Sequence, residues 1–234
     1  MNKEDTLVNC IHHEAPDGQA ELLLIMLPGA GIEAAEFAEQ GMVAAVHEHG
    51  VAAEIVVAHP DLGLYLEDGV TEALRHAVVE PARAHGRRRI WLLGISLGGM
   101  GALLYASAHA AEVEGIVLLA PFLGTKGTVA EMARAGGLAG WSAETSAATA
   151  PEKRMLTWLQ TQLAQPETAP ALYLGYGQAD RFAAGHRMLA ESLPPARVAV
   201  VPGGHDWQSW TALWRQLLGR SPFAVPCAGR CQER

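Results

Sequence analysis

Residues 22–27 read Leu-Leu-Leu-Ile-Met-Leu without a polar interruption, and Pro28-Gly29-Ala30-Gly31 ends the run. A short unbroken apolar stretch closed by turn residues predicts a strand covered on both faces. Similar runs, broken only by Glu54, Glu114 and Arg197, return at residues 51–58 (closed by His59-Pro60-Asp61), 90–93, 113–120, 171–177 and 197–201. Between these runs the apolar residues recur at helical spacing. Helices are predicted at 33–49 (inner face Phe37, Met42, Val43, Val46), 68–86, 97–109 and 183–193, with a closing helix after residue 205. On that last helix Trp207, Trp210, Trp214 and Leu217 fall on one stripe, which predicts core packing. Residues 6–12 alternate weakly, as an edge strand would, and Asp17-Gly18 supplies a turn. Strands alternating with helices predict an α/β fold: a mostly parallel central sheet with helices on both faces.

The alternation lapses between residues 124 and 170. Residues 135–150 are rich in Ala, Gly, Ser and Thr around Trp141, and only 151–165 reads as firmly helical. Two readings stand: a short helical lid presenting Trp141, Met132 or Leu138 to a ligand, or ordinary crossover helices.

The length of 234 residues fits one α/β domain, with 124–169 as an insertion and 220–234 as a short tail. A net charge of −8 with no basic stripe argues against a nucleic-acid partner. The run Arg87-Arg88-Arg89 reads as a solvated helix end. No apolar run is long enough to span a bilayer, and the polar N-terminus lacks a signal-like core, so a cytoplasmic location is the expectation. Three cysteines, Cys10, Cys227 and Cys231, are odd in number and fit reduced thiols. A homodimer is one assembly open to such a chain.

The chemistry concentrates at Gly94-Ile95-Ser96-Leu97-Gly98, which follows the apolar run 90–93 and opens the helix predicted at 97–109. Strand, sharp turn and helix with a serine at the apex force that serine into a strained backbone and push its hydroxyl outward. The flanking glycines are required because a Cβ there would strike the neighbouring strand or helix. The helix start directs free N–H groups and its positive dipole end to the same spot. With Gly98-Gly99-Met100-Gly101-Ala102 and a later Gly203-Gly204-His205-Asp206-Trp207, the chain resembles serine hydrolases of the α/β-hydrolase superfamily, most closely small esterases of the esterase D type. The resemblance runs from about residue 20 to 219 and implies an α/β-hydrolase fold, with the lid, where present, at 124–169.

A serine hydroxyl becomes nucleophilic when an imidazole takes its proton, and the imidazole must be oriented by a carboxylate. The chain order for this fold is Ser, then Asp or Glu, then His. Ser96, Asp180 and His205 obey it, each at or after the C-terminal end of a predicted strand. Of the ten histidines, seven fall on surface positions and His186 sits on a helix. His59 ends a strand at the same sheet edge but precedes Ser96, so it is assigned to the acyl pocket or a loop cap. Asp206, adjacent to His205, is poorly placed to grip its far ring nitrogen. The oxyanion donors are assigned to the Leu97 N–H and, by the resemblance, to Ala30, with Gly31 the alternative. Phe122 and Trp141 complete the expected substrate contacts.

These residues imply cleavage of a carboxylic ester or thioester of small to medium acyl length, with no cofactor and no metal. Acyl transfer uses the same groups. Gly29-Ala30-Gly31-Ile32-Glu33-Ala34 also matches a dinucleotide fingerprint, which leaves an NAD(P)-dependent oxidoreductase as a remote alternative. A hydrolase fold used only for binding is another.

Overall fold

The computed structural model describes residues 8–15, 20–67, 69–167 and 169–220. Cys227, Cys231, the Asp17-Gly18 turn, Thr6, Leu7 and the tail beyond 220 lie outside the described residues. The strands are β1 (Val8–His13), β2 (Leu22–Leu27), β3 (Ala53–Pro60), β4 (Arg89–Ile95), β5 (Gly115–Leu119), β6 (Ala171–Gly177) and β7 (Val198–Val201). They form one sheet in the order β1-β3-β2-β4-β5-β6-β7. β1 pairs antiparallel with β3 at the edge, and every other pairing is parallel.

All six residues of β2 are buried, and their alternation divides the core. Leu23, Ile25 and Leu27 face one apolar layer, while Leu22, Leu24 and Met26 face the other. On the second face lie α1 (Glu36–Glu39), α2 (Met42–Glu48) and α10 (Trp207–Leu218), whose Phe37, Val46, Leu213 and Trp214 are fully buried. The Trp214 indole N–H donates to the Met42 carbonyl at 2.9 Å and ties α10 to α2. The first face carries α3 (Leu62–Leu66), α4 (Val70–Leu74), α5 (Glu80–Ala84), α6 (Leu97–His109), α7 (Lys126–Arg134), α8 (Ala150–Ala164) and α9 (Ala183–Ala190). No helix among the described residues is long and apolar enough to cross a membrane.

Two predicted helices are broken. The one expected at 33–49 splits into α1 and α2 at Gly41, whose left-handed backbone (φ 75°) ends the first and starts the second. The one expected at 68–86 contains a π turn, Arg75–Val79, between α4 and α5. It lies just ahead of Pro81, which lacks an N–H and crowds the carbonyl four residues before it. α3, directly after β3, was not anticipated.

Segment 124–169 holds α7, a 3-10 turn at Leu138–Gly140 and α8. Met132, Leu138 and Trp141 are buried in the first-face core, Trp141 only 4% exposed. The Glu152 carboxylate, also buried, joins the starts of both helices. It accepts from the N–H groups of Thr125 (2.6 Å) and Thr149 (2.8 Å) and from the Thr149 hydroxyl (3.1 Å). Thr149 and Glu152 form a capping box on α8.

α6 lies against the sheet because glycines remove the side chains between them. A Cβ on Gly98 would overlap the Leu27 carbonyl oxygen and stand 2.7 Å from that of Pro28, and one on Gly99 would stand 2.8 Å from Pro121 Cβ. The blocking atoms are backbone, which cannot rotate away. Gly98→Ala is therefore expected to destabilise the fold by about 3 kcal/mol or more, at or above the usual cost of overpacking. Urea unfolding measures this, and an unchanged midpoint would mean that α6 has room to retreat.

Candidate active site

β2 connects to β3 on one side, while β4 lies on its other side, so the strand order reverses between β2 and β4. In an open parallel sheet the crevice outside the strand ends at such a point is the natural ligand site. The loops leaving β2 and β4 flank it: residues 28–33 on one side and Ser96 on the other. Gly29 sits against the serine, where a Cβ would stand 3.1 Å from Ser96 Cβ and 3.3 Å from the Ile95 oxygen.

Ser96 has φ 52° and ψ −113°, a region that side chains other than glycine rarely occupy. Its backbone is held on both sides. The Ser96 N–H donates to the Leu119 carbonyl at 3.0 Å, and its carbonyl accepts from the Phe122 N–H at 2.8 Å. The hydroxyl stands 3.0 Å from His205 Nε2, and His205 Nδ1 stands 2.8 Å from Asp180 Oδ2. With Nδ1–H donating to the carboxylate, Nε2 is free to accept the serine proton. The structure thus brings together three residues that leave β4, β6 and β7.

Asp180 is buried, and its other oxygen accepts the Phe182 N–H at 2.7 Å. Burial pushes its carboxyl up. The hydrogen bonds from His205 and the Phe182 amide, with the neighbouring imidazoles, outweigh burial and hold it below its ordinary value. Asp206 caps α10 instead, accepting the Ser209 N–H at 2.8 Å.

The amides of Leu97, first residue of α6, and Ala30, in the exposed loop after β2, donate to no acceptor among the described residues. His59, near the end of β3, has its Nδ1 3.8 Å from a carboxylate oxygen of Glu33, which follows that loop. Phe122 is half-buried beside Ser96, its ring edge-on to Phe182 at 6.0 Å. Trp141 is buried in the first-face core, within segment 124–169.

Three neighbours of the site were not read from the sequence. Phe182 and Trp210 each meet the His205 ring edge-on, at 5.2 and 5.1 Å. His186, on α9, is fully buried, and its Nε2–H donates to the Pro121 carbonyl at 2.8 Å. Burial lowers its pKa, against the opposing pull of that carbonyl and of Asp180. Phe182 stands two residues past Asp180 and His186 one helical turn further, a spacing that could have flagged both. Among the described residues, no group of three or more His, Cys, Asp or Glu could hold a metal ion. The loop that matches a dinucleotide fingerprint packs its Gly29 against Ser96, and only the four-residue α1 follows it.

The sheet order, the strained serine turn and the residues gathered around it define an α/β hydrolase. A family model described as serine aminopeptidase, S33, matches residues 49–202, more than half of the chain, and the chain belongs to that family. At the level of family it is a serine hydrolase. The matched region contains Ser96 and Asp180 and ends before His205. Among solved structures, an S-formylglutathione hydrolase from Staphylococcus aureus aligns with TM-score 0.59 and 16% identity, over 84% of this chain and 79% of that one. Est1E from Butyrivibrio proteoclasticus gives 0.58 and 16%, over 90% and 91%. A monoacylglycerol lipase from Paleococcus ferrophilus gives 0.56 and 15%, over 92% and 99%. At these identities the likeness is one of fold, and it gives the resemblance to esterase D-type enzymes a structural counterpart. A search of curated protein sequences found no match.

The Asp180 environment makes a pH prediction. A carboxyl held below its ordinary 3.8 contributes stability that is present above 3.8 and is lost as pH falls through the lower folded value. Carbon-13 titration should place the Asp180 midpoint below 3.8. In His205→Ala, burial is opposed by fewer partners and the midpoint should rise. A midpoint unmoved by that substitution would show that His205 does not hold the carboxylate.

Proposed function

We propose that the chain hydrolyses carboxylic esters or thioesters of small to medium acyl groups through an acyl-enzyme on Ser96. The observation that carries this reading is a single imidazole, His205, within hydrogen-bond reach of Ser96 Oγ on one nitrogen and of buried Asp180 on the other. Ser96 Oγ attacks the substrate carbonyl carbon while His205 Nε2 takes its proton. The carbonyl oxygen becomes an oxyanion and accepts the N–H groups of Leu97 and Ala30. The imidazolium, held in orientation by Asp180, then gives its proton to the departing alkoxide or thiolate. Water deprotonated by the same imidazole attacks the acyl-serine, and the bond to Oγ breaks with the proton returned to it.

Phe122 and Phe182 supply an apolar, half-buried wall beside the nucleophile, which suits an uncharged acyl group or leaving group. Two structural neighbours, an S-formylglutathione hydrolase and a monoacylglycerol lipase, are named for acyl compounds, which supports an ester or thioester substrate. Acyl transfer to an alcohol or amine uses the same residues, and product analysis with added alcohol separates it from hydrolysis.

A fluorophosphonate probe should label Ser96, and Ser96→Ala should abolish both labelling and turnover of p-nitrophenyl esters. Asp180→Asn should lower kcat by a factor on the order of 10³–10⁴, as tautomer control is lost. Wild-type protein that takes no label and hydrolyses no ester across a series of acyl lengths would leave a binding module as the better account.

A further inference from the structure

Two halves of this site lie in loops. Ala30 and Gly31 sit in an exposed loop, and His205 follows the glycine pair Gly203-Gly204. The Glu36 carboxylate, half-buried at the start of α1, bonds to both sides. Its Oε1 accepts the Glu33 N–H at 2.8 Å, closing the loop that carries Ala30. Its Oε2 accepts the indole N–H of Trp207 at 3.0 Å, from a residue 171 positions away.

Trp207 opens α10, two residues after His205. Its ring meets Phe37 edge-on at 5.5 Å and Trp210 at 5.3 Å, and Trp210 meets the His205 imidazole at 5.1 Å. One carboxylate, through two charge-assisted hydrogen bonds, thus joins Glu33, in the loop that carries Ala30, to the aromatic stack against the general base. Resting on the hydrolase reading above, we propose that Glu36 and Trp207 are positioning residues that fix the oxyanion loop relative to His205. Neither touches substrate. Their contribution is registry, and its loss should appear in the transition state and not in substrate binding.

Trp207→Phe keeps the ring stack and removes the indole N–H. Glu36→Gln leaves one acceptor oxygen for two donors. After active-site titration with a fluorophosphonate, each variant should show kcat lowered about 5–20-fold, with KM within about twofold of wild type. Affinity for a boronic acid, whose tetrahedral serine adduct places an oxygen in the oxyanion site, should fall by a similar factor. The double variant should be little worse than either single one, because both remove the same link. A melting temperature lowered in both variants, with kcat per titrated site and boronate affinity unchanged, would reduce the pair to ordinary structural support and overturn the proposal. Wild-type protein without turnover or label would overturn the hydrolase reading and this role with it. An active wild type with additive losses in the double variant would overturn this role alone.

Discussion

The contact on which the site depends is that between the first turn of α6 and the end of β2, where Gly98 leaves no space for even a methyl group against the Leu27 carbonyl. That closeness lets one strand end in Ser96 while its neighbour ends in the loop carrying Ala30. It also explains why Ser96 bears a positive φ: the chain must turn from β4 into α6 without moving the helix off the sheet. Strain of this kind, about 1–3 kcal/mol at a single residue, persists only where the surroundings fix it on every side. Here the Leu119 carbonyl and the Phe122 N–H do so.

The rest of the site is arranged by parallel strands. Because β4, β6 and β7 run in the same direction, the loops that leave them share one rim, and residues far apart in the chain meet there. For the same reason much of the arrangement was legible in advance. Apolar runs fix the strands, parallel alternation fixes which end each loop occupies, and the order Ser96, Asp180, His205 then follows from position along the chain. The inner faces of α2 and α10 could be read from spacing alone, since Met42, Val46, Trp210 and Trp214 are buried where the helical period places them.

What escaped the sequence has a common physical character. Periodicity does not report backbone handedness, so the break at Gly41 and the π turn before Pro81 were invisible. Nor does it report partners at long range. His186 reads as one more helical residue until Pro121, 65 positions earlier, is seen to accept its hydrogen bond. Glu36, inside the helix predicted at 33–49, gives no sign in the sequence of its bond to Trp207, which arrives from the other end of the chain. Trp141 shows the same limit: a lone aromatic in a weakly patterned segment carries no period, so its burial in the first-face core could not be read from spacing.

The buried Glu152 gives that segment a further property. Its carboxylate closes the capping box of α8 and also accepts the Thr125 N–H ahead of α7, so the start of α7 borrows its acceptor from the other helix. Shortening α8 from its first turn would therefore unfasten α7 as well, whereas loss of α7 would leave the α8 box closed.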